Sequence, residues 1–321
     1  MKILSILANR FGIHNLALLS VLLVLVVVMS IISPYFLTPQ NLEVIMMGFV
    51  LEGIMAIGMT LVILSGGIDL SVSSVLPFAA IITAFMLKAG WPPYVAIIIT
   101  LTASTLIGFF NAFMKTALNV HPFIATLATM LTLRGFALAI SSGANLSGFP
   151  ESFFFLGQGR FLGIPFPIFI FVILALVFGF LLKRHRFFRK VYFIGYNPKA
   201  ARLSGMNVAM FSLFVFGLSS FLAGLAGITA ASTYGAAHNS FGIGAELRVI
   251  TAVVIGGTSI VRGGSGSMTG TVLGVLFMAI IYNAFVMSGI STYWQDIVSG
   301  IMLLIAIFSV EWLKSRKMVR A

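Results

Sequence analysis

Ten apolar runs, nearly free of charge and spread through the whole chain, constrain this sequence more than any other feature. They fall at about 15–33, 46–64, 73–88, 94–114, 122–141, 166–182, 211–230, 249–261, 268–287 and 295–311. Most approach the roughly 20 residues that a helix needs to cross about 30 Å of hydrocarbon. The runs are continuous rather than alternating, which favours helices over a barrel. A soluble fold could not hide so much apolar surface: 60% of the 321 residues are hydrophobic and 8% are charged, against about 25% charged in soluble domains. The expectation is an all-α membrane protein, a polytopic bundle of about ten transmembrane spans forming one domain over 1–321. Residues 15–182 hold the first half of the spans, 183–210 a cytoplasmic loop, and 211–321 the second half. The run at 249–261 is short and reads as a re-entrant or broken helix. The first run is longer than a signal-peptide core and lacks a clear cleavage site, so it reads as a retained span.

The net charge of +12 does not mark a nucleic-acid binder, because the basic residues sit in short clusters between apolar runs. With ten spans the alternate loops can be compared. One set holds Lys2, Arg10, Lys115, the stretch from Lys183 to Lys190, Lys199, Arg202, Arg262, and the tail with Lys314, Arg316, Lys317 and Arg320; the other holds Lys88, Arg160 and little else. The positive-inside rule then puts both termini and the 183–210 loop in the cytoplasm. Trp91, Tyr94, Tyr293, Trp294 and Trp312 lie near span ends, as interfacial aromatics do. The abundant Phe and Met residues suit lipid contact and packing.

Several chemistries are excluded. The chain has no cysteine, hence no disulfide, thiolate metal site or Cys nucleophile. His14, His121, His185 and His238 are scattered without ligand spacing. Gly263-Gly264-Ser265-Gly266-Ser267 lacks the Gly-Lys-Ser/Thr ending of a phosphate-binding loop. No catalytic constellation is present, and no cofactor is expected. With no soluble domain in the chain, ATP hydrolysis or high-affinity capture of a solute would have to come from partners.

Two segments look alike. Ser65-Gly66-Gly67-Ile68-Asp69-Leu70-Ser71 links two apolar runs, and Gly256-Gly257-Thr258-Ser259, followed by Arg262-Gly263-Gly264-Ser265-Gly266, does the same in the second half. Internal repeats with discontinuous helices are common in transporters, although Gly and Ser also punctuate spans in any membrane protein. Asp69 and Ser71 suit a helix start, with Gly66 and Gly67 allowing the sharp turn; a direct substrate contact is the other reading of Asp69. Glu52 and Arg134 stand inside apolar runs, each as a lining group or as half of an internal ion pair. Gly217, Ser220, Gly224 and Gly227, at three- or four-residue spacing, predict a close helix–helix contact. Asn111, Asn119, Thr126, Asn283 and Gln295 are the polar, uncharged candidates for contacts with a neutral polar solute.

The segment from Gly195 to Met206 is the most informative. Asn197 is a good N-cap, Pro198 suits the first helical position and Gly205 the position just past the end. A short helix of Pro198, Lys199, Ala200, Ala201, Arg202, Leu203 and Ser204 follows, about 10 Å long. Projecting from a bundle, it fits either docking into a partner or resting on anionic headgroups.

This segment, Ser65–Ser71 and Val254–Ser259 together resemble the permeases of the ribose/galactose/xylose class of bacterial ABC importers. His121-Pro-Phe-Ile-Ala-Thr-Leu127 and Leu133-Arg134-Gly135 look like the same family, and the motifs follow the family order from about residue 30 to 310. Ser73, where the family often has Gly, and the 262–266 turn depart from its pattern. The resemblance implies a pathway made by two permease chains, identical or different, in the bacterial cytoplasmic membrane. It also implies cytoplasmic ATP-binding subunits and a periplasmic or lipid-anchored sugar-binding protein. The 197–205 helix would be the coupling element to the ATPase, and the solute a monosaccharide; autoinducer-2, nucleosides and branched-chain amino acids are carried by related permeases. A secondary transporter working alone is the competing class, against which the small acidic inventory of seven residues counts.

Overall fold

Proline sets where the helices of this chain begin. In the computed structural model, which describes residues 13–261, 263–291 and 294–318, Pro39, Pro93, Pro122, Pro167 and Pro198 each occupy the first turn of a helix. There the missing N–H would have had no partner in any case. The elements run α1 (Ile13–Ile32), α2 (Pro39–Leu64), α3 (Val72–Lys88), α4 (Pro93–Thr116), α5 (Pro122–Ser141), β1 (Leu146–Ser147), α6 (Glu151–Gln158), β2 (Arg160–Phe161), β3 (Ile164–Pro165), α7 (Phe166–Arg184), α8 (Arg186–Tyr196), α9 (Pro198–Leu203), α10 (Val208–Tyr234), β4 (Ala236–Ala237), α11 (Ala245–Ile255), α12 (Met268–Met287) and α13 (Trp294–Met318). Seven of these helices are long and apolar enough to cross a membrane, and α3 and part of α13 are shorter apolar helices. The all-α, multi-pass reading holds. Of the charges and aromatics used for sidedness, Lys2, Arg10, Arg262, Tyr293 and Arg320 lie outside the described residues, as do the side chains of Trp312, Lys314, Arg316 and Lys317.

Helices α2 and α10 form the centre. Every residue from Gly53 to Leu64 is buried, and α10 packs on α3 and α4 through its small residues. A Cβ on Gly224 would stand 2.3 Å from Ser104 Oγ, one on Gly227 2.1 Å from Leu76 O, and one on Gly108 of α4 2.2 Å from Phe216 O. Backbones approach this closely because packing and buried hydroxyls, not the hydrophobic effect, hold helices together in lipid. Ser220, also on α10, is fully buried.

The stretch between α5 and α7 is folded. β1 pairs antiparallel with β4, joining Leu146 to Ala237, and β2 and β3 make a hairpin. α6 lies across the end of α10, where Gly157 N–H donates to Ser232 Oγ at 2.7 Å and Ser232 Oγ–H donates to Phe153 O at 2.7 Å. Arg160 holds Glu43, at the start of α2, through both guanidinium nitrogens.

The short eighth run has a physical explanation. α11 has 11 residues, about 16 Å, or half of a bilayer core. Before it, Gly242 packs against Ser73 O, to which a Cβ there would come within 2.5 Å. That carbonyl lacks its helical donor because residue 77 is proline. The 238–244 segment therefore enters the bundle beside the start of α3, and α11 begins inside it.

Candidate functional site

The two glycine-bearing breaks close with the same hydrogen bonds. After α2, Gly66 N–H donates to Ile63 O at 3.0 Å and Gly67 N–H to Val62 O at 2.9 Å; after α11, Gly257 N–H donates to Val254 O at 2.8 Å and Thr258 N–H to Val253 O at 3.2 Å. Each is a Schellman cap with a left-handed glycine, Gly66 at φ 78° and Gly257 at φ 88°. The equivalent pair is thus Gly66 and Gly257, one residue off the alignment of the two Gly-Gly pairs. Gly256 is the C-cap residue of α11, where a Cβ would come within 2.3 Å of Gly270 O. Thr258 is buried, and Ser259 N–H donates to Ser265 O at 2.9 Å, so this break folds into a closed turn.

Asp69 lies deep. Ser219 sits against Gly58 and beside the Asp69 carboxylate, and Gly58 is six residues, about 9 Å, back along α2 from Leu64. The chain after α2 therefore folds back into the bundle before α3 starts. Asp69 and Ser71 are both fully buried. Asp69 Oδ1 accepts from Ser71 N–H at 3.1 Å and Ser71 Oγ–H at 2.5 Å; Asn111 Nδ2 donates to Ser71 Oγ at 2.9 Å, and Thr129 Oγ1 donates to Asn111 Oδ1 at 2.6 Å. Thr126 Oγ1 is 3.3 Å from Ile68 O. Ser71 occupies the N-cap position of α3 but its side chain makes no capping bond; it is spent on Asp69 and Asn111. Asn111 and Thr126 thus support the break rather than line an opening. Asn119 is exposed in the α4–α5 loop with φ 53°.

α8 and α9 are built onto this break. A Cβ on Gly195 would stand 1.8 Å from Leu64 O and 2.7 Å from Gly264 N, and one on Gly263 2.8 Å from Gly195 O and 3.1 Å from Gly66 Cα. Gly264 N–H donates to Leu64 O at 2.8 Å. The end of α2, the end of α8 and the turn after α11 therefore touch backbone to backbone. From this junction α9 projects. Asn197 Oδ1 accepts from Lys199 N–H at 3.1 Å and Ala200 N–H at 3.0 Å, and Gly205, at φ 79°, closes the helix with Met206 N–H donating to Ala201 O at 3.0 Å. Ala201 is buried at the base, whereas Pro198, Lys199, Ala200, Arg202 and Ser204 are exposed and Leu203 is 91% exposed.

A polar cleft opens further along α2. Arg248 Nε donates to Glu52 Oε1 at 2.6 Å, with the two side chains 18% and 21% exposed. Arg248 also donates to Ile243 O at 3.0 Å. Asn283 and Gln295 line a cavity of about 310 Å³ on one side of the pair; on the other lies one of about 260 Å³ lined by Tyr234, Ser240 and Phe241. Asn283 and Asn41 exchange amide hydrogen bonds of 2.7 and 3.1 Å. Glu52 is therefore both a lining group and an ion-pair partner, while Arg134 reaches Gly242 O at 3.4 Å. Arg248 was not singled out in the sequence. The available signal was Glu52 itself, since a carboxylate at membrane depth calls for a cation. Among the described residues no group of three or more His, Asp or Glu side chains could hold a metal.

Comparisons with known proteins bear on the family. The family described as branched-chain amino acid transport system / permease component matches residues 41–307. The ribose import permease protein RbsC of Bacillus subtilis is 38% identical over 89% of each chain. The L-arabinose ABC transporter permease protein AraH of Azospirillum brasilense is 33% identical over 97% of this chain and 90% of its own. The autoinducer 2 import system permease protein LsrD of Klebsiella pneumoniae is 32% identical over 95% and 93%. No solved structure matches. A helical membrane bundle with paired helix breaks, matched along nearly its whole length by permeases, belongs to the family of branched-chain amino acid transport system permease components.

Proposed function

We propose that the chain is the permease subunit of an ABC importer that moves a small monosaccharide, a ribose-like pentose or a hexose, into the cytoplasm. ATP hydrolysis takes place on separate subunits, and the permease itself catalyses no reaction. The observation that carries this reading is α9: a capped helix with Ala201 fixed in the bundle and Leu203 held out, standing on the junction where both helix breaks meet. An apolar tip held outside the bundle's own packing fits the groove of a partner subunit. A partner whose groove receives that tip would move α8 and, through Gly195, displace Leu64 and the 263–264 turn together.

A second permease chain, identical or different, completes the pathway in this reading, and a sugar-binding protein, free or lipid-anchored, delivers the solute. Both termini and α9 face the cytoplasm. Monosaccharide is favoured over autoinducer-2 because the ribose permease shares 38% identity and the autoinducer permease 32%. The test is uptake into proteoliposomes holding the chain with its ATPase and binding protein. Pentose or hexose should accumulate only with ATP. Uptake by this chain without ATPase and ATP would overturn the reading in favour of a secondary transporter, and accumulation of autoinducer-2 in preference to every sugar would overturn the substrate.

A further inference from the structure

Glu52 stands near the middle of α2, 12 residues from Leu64 and 13 from Pro39, so about 18–20 Å from either end of the helix. A helix of this length centred on the bilayer would carry Glu52 close to the midplane. Ionisable groups there are expensive and mark pathways, yet Glu52 and Arg248 keep about a fifth of their side-chain surface open. The same two residues and Gly48 line the cavities on both sides of the pair, which makes one groove divided by an ion pair. Its floor mixes acceptors and donors: a carboxylate, a guanidinium, and the amides of Asn283 and Gln295. Its far wall is aromatic, with the Tyr234 and Phe241 rings 5.3 Å apart.

We infer that this groove is a monosaccharide-binding site at the midplane, with Glu52 and Arg248 bonding adjacent hydroxyls and the Tyr234–Phe241 wall packing on the C–H face of the ring. The inference deepens the proposed function and rests on it. Adjacent hydroxyls each donate and accept, so a carboxylate beside a guanidinium satisfies both in a way that a single charge does not. The pair is net neutral and gives an ionic solute no advantage. Cavities of about 310 and 260 Å³ sit at the small end of ligand sites, suited to one sugar ring. Gly48 keeps the groove open, since a Cβ there meets nothing within 4 Å.

The absence of cysteine from the chain permits a direct test. In the reconstituted complex, Gly48→Cys is exposed to a water-soluble methanethiosulfonate and labelling is read as a mass gain on this chain. Labelling from water, slowed by the transported sugar and not by a sugar the complex does not carry, is the expected result. Ser240→Cys, on the other side of the pair, should behave alike and serves if Gly48→Cys does not assemble. Graded filling should follow volume: Gly48→Ala keeps most uptake and Gly48→Leu abolishes it. Glu52→Gln should slow uptake about tenfold and change the order of rates among pentoses, which a merely structural pair would not do. If the wild-type complex moves no sugar, the proposed function fails. If it moves sugar while both cysteines stay unlabelled, or label at one rate with and without that sugar, the site lies elsewhere and this inference is overturned.

Discussion

The junction under α9 and the groove around Glu52 are built from opposite materials. At the junction three chain segments meet with no room for a methyl group: a Cβ on Gly195 would lie 1.8 Å from Leu64 O. In the groove, Gly48 faces open space and charged groups keep part of their surface exposed. Close-packed interiors transmit displacement because they cannot absorb it. Open polar clefts accept solutes because their hydrogen bonds are not all committed. The difference teaches that glycine serves two ends in this fold: at Gly195 it lets backbones touch, at Gly48 it leaves a hole.

Gly195→Ala is the strongest way to break that comparison. Its Cβ meets backbone, so overpacking should exceed the usual 1–3 kcal/mol, and the variant should be recovered poorly or melt far below wild type in detergent. Gly135→Ala, whose Cβ meets nothing within 4 Å, should melt no lower than wild type, because alanine favours a helix by about 0.5–1 kcal/mol. Next in size is Glu52→Gln. Removing the charge that faces Arg248 should cost about 1–3 kcal/mol, and the double change Glu52→Gln/Arg248→Gln should recover part of it in the same melting assay. Asn197→Ala removes the acceptor for two N–H groups of α9, worth about 1 kcal/mol of local helix stability. The bundle should melt as before while sugar moved per ATP falls. The smallest effect belongs to Arg160→Ala. Its pair with Glu43 is 53% and 36% exposed, so no measurable melting change is expected in physiological salt.

Much of the fold was legible because lipid enforces it. Span length and continuous apolarity act locally, and each run coincides with a helix, although α2 starts seven residues before its run, α11 ends six residues before the end of its run and α13 runs seven residues past its own. The cap, body and stop of α9 were likewise readable, since Asn197, Pro198 and Gly205 act within one turn. Gly224 and Gly227 signalled close approach for the same reason. What stayed hidden depends on distant partners. Nothing near Arg248 in sequence announces Glu52, 196 positions away. Asn111 and Thr126 looked free to meet a solute until Ser71 and Ile68 were placed beside them. Ala201 and Leu203 looked equally available for docking, yet one is buried and the other stands clear, a difference set by how α9 leans on the bundle.

The claim at the centre is that α9 is driven by a partner ATPase. Leu203 measures it best, because its side chain contributes almost nothing to the chain's own packing. ATP-driven sugar uptake by the reconstituted complex carrying Leu203→Asp should fall tenfold or more, as loss of a buried interface anchor does, at unchanged protein level and melting temperature. Uptake at the wild-type rate would contradict the account.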